Sequence, residues 1–149
     1  MDRRKFLIDS CKSCALAGAG LLLGSTLLDS CATAGLAIVK AKEENGSVRL
    51  PVTDFSDNKI KLVRVNNYAY DIAIRQLNDG SYLALLLKCT HAGQPLTKAG
   101  NGFYCTLHGS QFNADGLVKK GPASHPLVHL PVTVANSYLI ISLNNAPKI

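Results

Sequence analysis

The 149-residue chain has no tryptophan and only 6% aromatic residues, and its longest basic run is Lys119-Lys120. A nucleic-acid surface needs clustered cations interleaved with aromatic side chains, so that class of partner is not expected. Internal repeats and low-complexity tracts are also missing, which sets aside solenoids and arrays. Beyond residue 30 no window holds a capped helical period, which argues against a helical domain. No catalytic base stands out. What is present suits one domain of modest core. The formal charge is +6; residues 1–30 carry four basic and three acidic side chains, leaving twelve and seven for the rest. This scattered excess reads as solubility, with an acidic partner or anionic surface as the alternative.

The first thirty residues read as an address. Arg3-Arg4-Lys5 precede an apolar stretch at 15–28 that is 14 residues long. A membrane span needs about 20 apolar residues, a signal core about 7–15. Arg3-Arg4 followed by Lys5-Phe6-Leu7 resembles a twin-arginine export signal; an ordinary signal with two adjacent arginines is the alternative. Leu28-Asp29-Ser30-Cys31 resembles a bacterial lipobox, with Asp29 departing from the usual small or apolar residue. Cys31 is therefore expected to be lipidated, the runner-up being an uncleaved N-terminal anchor. Both place the globular part outside the cytoplasm, periplasmic or on the outer face of the membrane. Cys11-Lys12-Ser13-Cys14 has redox-motif spacing but lacks the strand–helix setting that such chemistry needs.

The body reads as all-β. Apolar, β-branched runs are expected as strands at 36–40, 47–52, 60–65, 68–77, 82–88, 127–134 and 138–143, each bounded by turn residues. Asn78-Asp79-Gly80 is a strong hairpin signal. The spacing predicts antiparallel sheets in a small sandwich or partly open barrel. Residues 96–123 differ: five glycines, with Pro95 just before them and Pro122 among them, make this a stretch of loops.

Two of those loops carry cysteine and histidine together: Cys89-Thr90-His91-Ala92-Gly93 and Cys105-Thr106-Leu107-His108-Gly109-Ser110. Thiolate and imidazole donors select zinc, copper or an iron–sulfur centre. A Cys89–Cys105 disulfide is the plain alternative in an exported protein, but it leaves the accompanying histidines unexplained. A structural zinc module with Cys₂His₂ ligation is another; it leaves the glycine-rich boxes unexplained.

The pair of boxes resembles that of Rieske 2Fe–2S proteins. Asp79-Gly80-Ser81-Tyr82-Leu83 leads into the first box as in that family. Phe112-Asn113-Ala114-Asp115-Gly116 follows the second, and Gly121-Pro122-Ala123-Ser124-His125-Pro126 looks like the family's proline loop. The likeness runs over about residues 47–144, after a linker and first strand at 31–46. It implies antiparallel β-sheets with a small cluster-binding subdomain. It also implies one 2Fe–2S cluster, with Cys89 and Cys105 on one iron and His91 and His108 on the other. Ser110 is implied as a hydrogen-bond donor to the cluster. The extra cysteines that join the boxes in high-potential members are replaced here by Gln94 and Leu107, and a sulfur-bonding tyrosine by Phe112. The resemblance thus implies one-electron transfer in a membrane or periplasmic redox chain. The partner would be a cytochrome or the large subunit of an oxidoreductase, and in some members a quinol. The chain would be an electron-transfer component and not a stand-alone enzyme. His125 is expected as a loop residue and His129 as a solvent-facing strand residue.

Overall fold

The structure, a computed structural model, describes residues 38–57 and 59–149. The expected export signal, the Cys11-Lys12-Ser13-Cys14 motif and Cys31 lie outside the described residues.

Among the described residues there are twelve strands: β1 Ile38–Ala41, β2 Ser47–Pro51, β3 Lys61–Val65, β4 Ile72–Gln76, β5 Tyr82–Leu86, β6 Thr97–Ala99, β7 Gly102–Tyr104, β8 Gln111–Asn113, β9 Val118–Lys120, β10 His129–Leu130, β11 Val132–Ala135 and β12 Tyr138–Ser142. They build three sheets, in the orders β1-β3-β4-β5-β10, β11-β12-β2 and β6-β7-β8-β9. All pairings are antiparallel except β1 with β3, which is parallel. The all-β, largely antiparallel architecture is the one read from the sequence.

The central strands β4 and β5 of the five-stranded sheet are covered on both faces. Ile72, Ile74, Ala84 and Leu86 point to one side and pack with Val48, Leu139 and Ile141 of the three-stranded sheet. Ala73, Leu85 and Leu87 point to the other and pack with Phe103 and Phe112 of the four-stranded sheet. Alternate side chains of a strand face opposite ways. A strand covered on both faces must therefore be apolar throughout, and this accounts for the unbroken Leu83-Ala84-Leu85-Leu86-Leu87 run.

Turn chemistry follows the residues. Gly80 sits at φ 83°, and the Asp79 carboxylate accepts from the Ser81 backbone N–H at 2.9 Å and hydroxyl at 2.6 Å. Two details correct the expected strands. The run at 127–134 is divided between two sheets: β10 pairs with β5 and β11 with β12. Pro131 separates them, since it has no N–H for a ladder. The stretch 96–123 holds four three-residue strands, too short to impose a legible period.

Candidate metal centre

Each box is a closed six-residue loop at the end of a buried strand. After β5 the Leu87 N–H donates to Asp71 O, and the Leu96 N–H returns to Leu87 O. Between them Cys89 donates its N–H to Gln94 O at 2.8 Å and accepts at its carbonyl from the Gly93 N–H at 2.8 Å. The second loop, between β7 and β8, repeats the pattern. Cys105 donates to Ser110 O at 2.9 Å and accepts from the Gly109 N–H at 3.0 Å. In both loops the fifth residue is a glycine in the left-handed region, Gly93 at φ 67° and Gly109 at φ 80°, where a side chain is disfavoured. The loops differ in where histidine falls, third in the first and fourth in the second.

This closure brings the four expected donors together as a cysteine pair and a histidine pair. Cys89 and Cys105 are 1% and 0% exposed, and neither is in a disulfide. Burial pushes the Cys89 thiol upward, but hydrogen bonds outweigh it. The backbone N–H groups of His91 and Ala92 and the side chains of Cys105 and Ser110 hold the thiol below its ordinary value. The imidazoles of His91 and His108 are exposed. Their Nδ1 atoms lie 3.2 Å apart, with the rings at 77°. With metal–imidazole bonds of about 2.0–2.1 Å, nitrogens 3.2 Å apart subtend roughly 100° at a shared metal, near the tetrahedral value.

Sulfur therefore faces sulfur in the interior and nitrogen faces nitrogen at the surface. Among the described residues no three His, Cys, Asp or Glu side chains converge as the ligands of one ion would. Two donor pairs suit a two-metal centre better than a single tetrahedral zinc, and a 2Fe–2S cluster fits the donor set.

A third segment braces both loops. The Thr90 hydroxyl donates to His125 O at 2.7 Å, and the Ala123 N–H donates to Ser110 Oγ at 3.0 Å. The residues 121–126 thus hold one box by each hand. Gln94 and Leu107, at the positions of the family's extra cysteines, are both exposed, Leu107 to 55%. The Tyr70 hydroxyl adds a bond to Gly93 O at 2.6 Å. Ser110 is fully buried, while His125 and His129 are exposed. Phe112, 1% exposed, packs in the same apolar cluster as both cysteines. Thr90, Ala123 and Tyr70 were not identified from the sequence. Their partners lie 13 to 35 residues away, and in each contact one of the two groups is backbone. The repeated Cys-x-x-x-Gly spacing, by contrast, is visible in the sequence and marks the shared loop.

The model of the Rieske [2Fe-2S] domain family matches residues 46–136. The chain is 41% identical over 63 residues to the carotenoid phi-ring synthase of Chlorobaculum tepidum, covering 41% of this chain and 10% of the synthase. It is 46% identical over 54 residues to the ubiquinol-cytochrome c reductase iron-sulfur subunit of Rickettsia typhi, covering 34% of this chain and 30% of the subunit. The chain thus spans less than a third of the length of either relative. A solved quaternary ammonium Rieske monooxygenase superposes with a TM-score of 0.50 at 21% identity, over 65% of this chain and 32% of the other; this shows the fold. From the match over most of the described chain, the protein belongs to the Rieske [2Fe-2S] domain family, and its cofactor is one Rieske-type 2Fe–2S cluster.

Proposed function

We propose that Cys89 and Cys105 hold the inner iron and His91 and His108 the outer one, and that the chain carries single electrons between redox proteins outside the cytoplasm. The observation that carries this reading is the sorting of the donors into a buried sulfur pair and an exposed nitrogen pair. The bound cluster supplies a reversible one-electron couple. The residues around it set where and at what potential that couple works. Buried thiols keep water from the inner ligands. Exposed imidazoles bring the outer ligands to the surface, within reach of a partner. The hydrogen bonds to Cys89 from Ser110 and from the His91 and Ala92 backbone favour the more negative, reduced state and raise the potential. Phe112 withholds one further donor. The two effects place the midpoint in the lower or middle part of the roughly −150 to +300 mV range of histidine-ligated clusters.

The domain is assigned to residues 47–144, behind a linker and first strand at 31–46. Arg3-Arg4 and the apolar stretch at 15–28 support export, and Leu28-Asp29-Ser30-Cys31 supports a lipid anchor on Cys31. A partner of the cytochrome or oxidoreductase large-subunit kind follows. The likeness to a ubiquinol-cytochrome c reductase subunit brings in quinol as a candidate reductant. The unbridged Gln94 and Leu107 weigh against it.

Low-temperature EPR of the purified protein, titrated through a series of reducing potentials, tests the reading. A rhombic signal that appears on reduction supports it, and its midpoint separates a quinol-oxidising subunit from a lower-potential carrier. A folded, diamagnetic protein containing zinc overturns it. Mass spectrometry of the mature N-terminus tests the anchor: a lipid-modified Cys31 is expected, and intact Met1 in membrane fractions contradicts it.

A further inference from the structure

The two cluster boxes are closed by the same backbone bonds but tied to the domain differently. The sixth residue of the second box, Ser110, is buried, and its hydroxyl accepts the Ala123 N–H at 3.0 Å. Its counterpart in the first box, Gln94, is exposed, so that side chain gives no inward tie. Tyr70 supplies one from outside the box. It stands 23 residues before Gly93 and donates its hydroxyl to the Gly93 carbonyl at 2.6 Å. Its neighbour Asp71 accepts the Leu87 N–H at 2.9 Å, so the backbone sets Tyr70 against the strand that enters the box.

The Tyr70 ring is held in turn. Among the described residues Lys88 joins no ion pair; its Nζ lies instead 5.6 Å from the centroid of the Tyr70 ring, where the electron-rich face attracts an ammonium. The Lys88 Cε lies 3.5 Å from the place a Cβ would take on Gly93, so one lysine covers both partners of the hydrogen bond. Gly93 is thereby fixed at both of its backbone groups. Its N–H donates to Cys89 O within the box, and its carbonyl accepts from Tyr70 outside it. The two residues before it, His91 and Ala92, direct their N–H groups to the Cys89 sulfur.

We propose that Tyr70 is a positioning residue of the cluster: by fixing Gly93 it holds the 91–93 turn, and with it the His91 ring and the N–H groups that meet the Cys89 sulfur. The proposal deepens the electron-carrier reading and rests on it. Groups that orient a metal's ligands tune the metal as well as hold it. Hydrogen bonds to the sulfur favour the reduced cluster, so slackening this turn lowers the potential. A looser His91 also takes up a spread of orientations, which widens the EPR lines.

Redox titration followed by EPR tests this on the full-length, cluster-loaded protein. Tyr70→Phe loses the hydroxyl and keeps the ring. Its reduced-to-oxidised ratio at a fixed potential is expected to fall about three-fold or more, roughly 28 mV at 59 mV per ten-fold for one electron. Its EPR lines are expected to broaden. Ile141→Ala, in the apolar cluster without the cysteines, controls for general weakening: it lowers the unfolding midpoint and leaves the potential alone. A Tyr70→Phe protein that behaves in the same way, less stable with potential and line shape unmoved, overturns the proposal, as does a raised potential. If Tyr70→Phe takes up no cluster, Lys88→Met stands in, titrated at about 0.05 M and about 1 M salt. A fall at both is expected, since the ring loses its cover. No fall, or a fall only at low salt, where the lost charge alone is felt, overturns the proposal. The two readings stay apart. A parent protein without the rhombic signal defeats the electron-carrier reading, whereas a parent with that signal and unmoved variants defeats the role of Tyr70 alone.

Discussion

The Ser110 hydroxyl stands between two boxes of the fold. It bonds the Cys89 sulfur and accepts the Ala123 N–H, and both it and Ala123 are buried. Ser110→Ala therefore removes a donor to sulfur and strands a buried N–H. Its midpoint potential is expected to fall by tens of millivolts, and its stability by about 1–3 kcal/mol. Redox titration and denaturant unfolding read the two effects; an unchanged potential would show that the hydroxyl does not reach the cluster. Phe112→Tyr is expected to move the potential the opposite way if its hydroxyl turns to Cys105, and an unchanged midpoint excludes that geometry. Such donors were legible because the boxes have fixed spacing. Thr90 was not, since its acceptor is a backbone carbonyl 35 residues away that no side-chain pattern announces.

Between the elements, hydrogen bonds take the place of a covalent tie. The two boxes are joined to each other through residues 121–126 by the Thr90–His125 and Ala123–Ser110 bonds. Thr90→Val removes one of them at a cost of about 0.5–1.5 kcal/mol. The cluster of that variant is expected to bleach faster on mild heating, followed by visible absorbance, while the folded content by circular dichroism changes little. An unaltered bleaching rate would show that this contact does not hold the first box. At the far end, Lys148 pairs with Glu43 at 2.8 Å and secures the C-terminal segment to the turn before β2. The Lys148 side chain, with smaller help from Tyr68 and the Gly46 N–H, holds the Glu43 carboxyl below its ordinary value against its partial desolvation. A carboxyl depressed in the folded state adds stability above its free value and loses it as the pH falls through the depressed one. The benefit of Lys148 over Lys148→Met is thus expected at neutral pH and to vanish in strong acid, as read by unfolding midpoints. The element plan was legible wherever a run exceeded four residues. It was not legible at Pro131, where one apolar run serves two sheets, nor for the parallel β1–β3 pairing, since local pattern carries no strand direction.

At the scale of the molecule, the two apolar clusters divide the labour. One lies between the five- and three-stranded sheets, the other between the five- and four-stranded sheets, and only the second contains the cysteines. Ile141→Ala, in the first, is expected to cost about 2–5 kcal/mol and leave the EPR spectrum unchanged. Phe103→Ala, in the second, is expected to cost about 3–5 kcal/mol and to lose the cluster as well. Equal effects of both on the spectrum would contradict this division. The unbroken apolar run of β5 is explained by a layer on each of its faces; the third layer was out of reach of the sequence, because strands of three residues leave no period to read. The central claim, that His91 and His108 share one iron while Cys89 and Cys105 share the other, is tested most directly by pulsed EPR of the reduced protein grown with ¹⁵N-histidine. Couplings from two histidine nitrogens are predicted, falling to one in His91→Cys if a cluster is retained there. A reduced cluster with no histidine coupling would contradict the account.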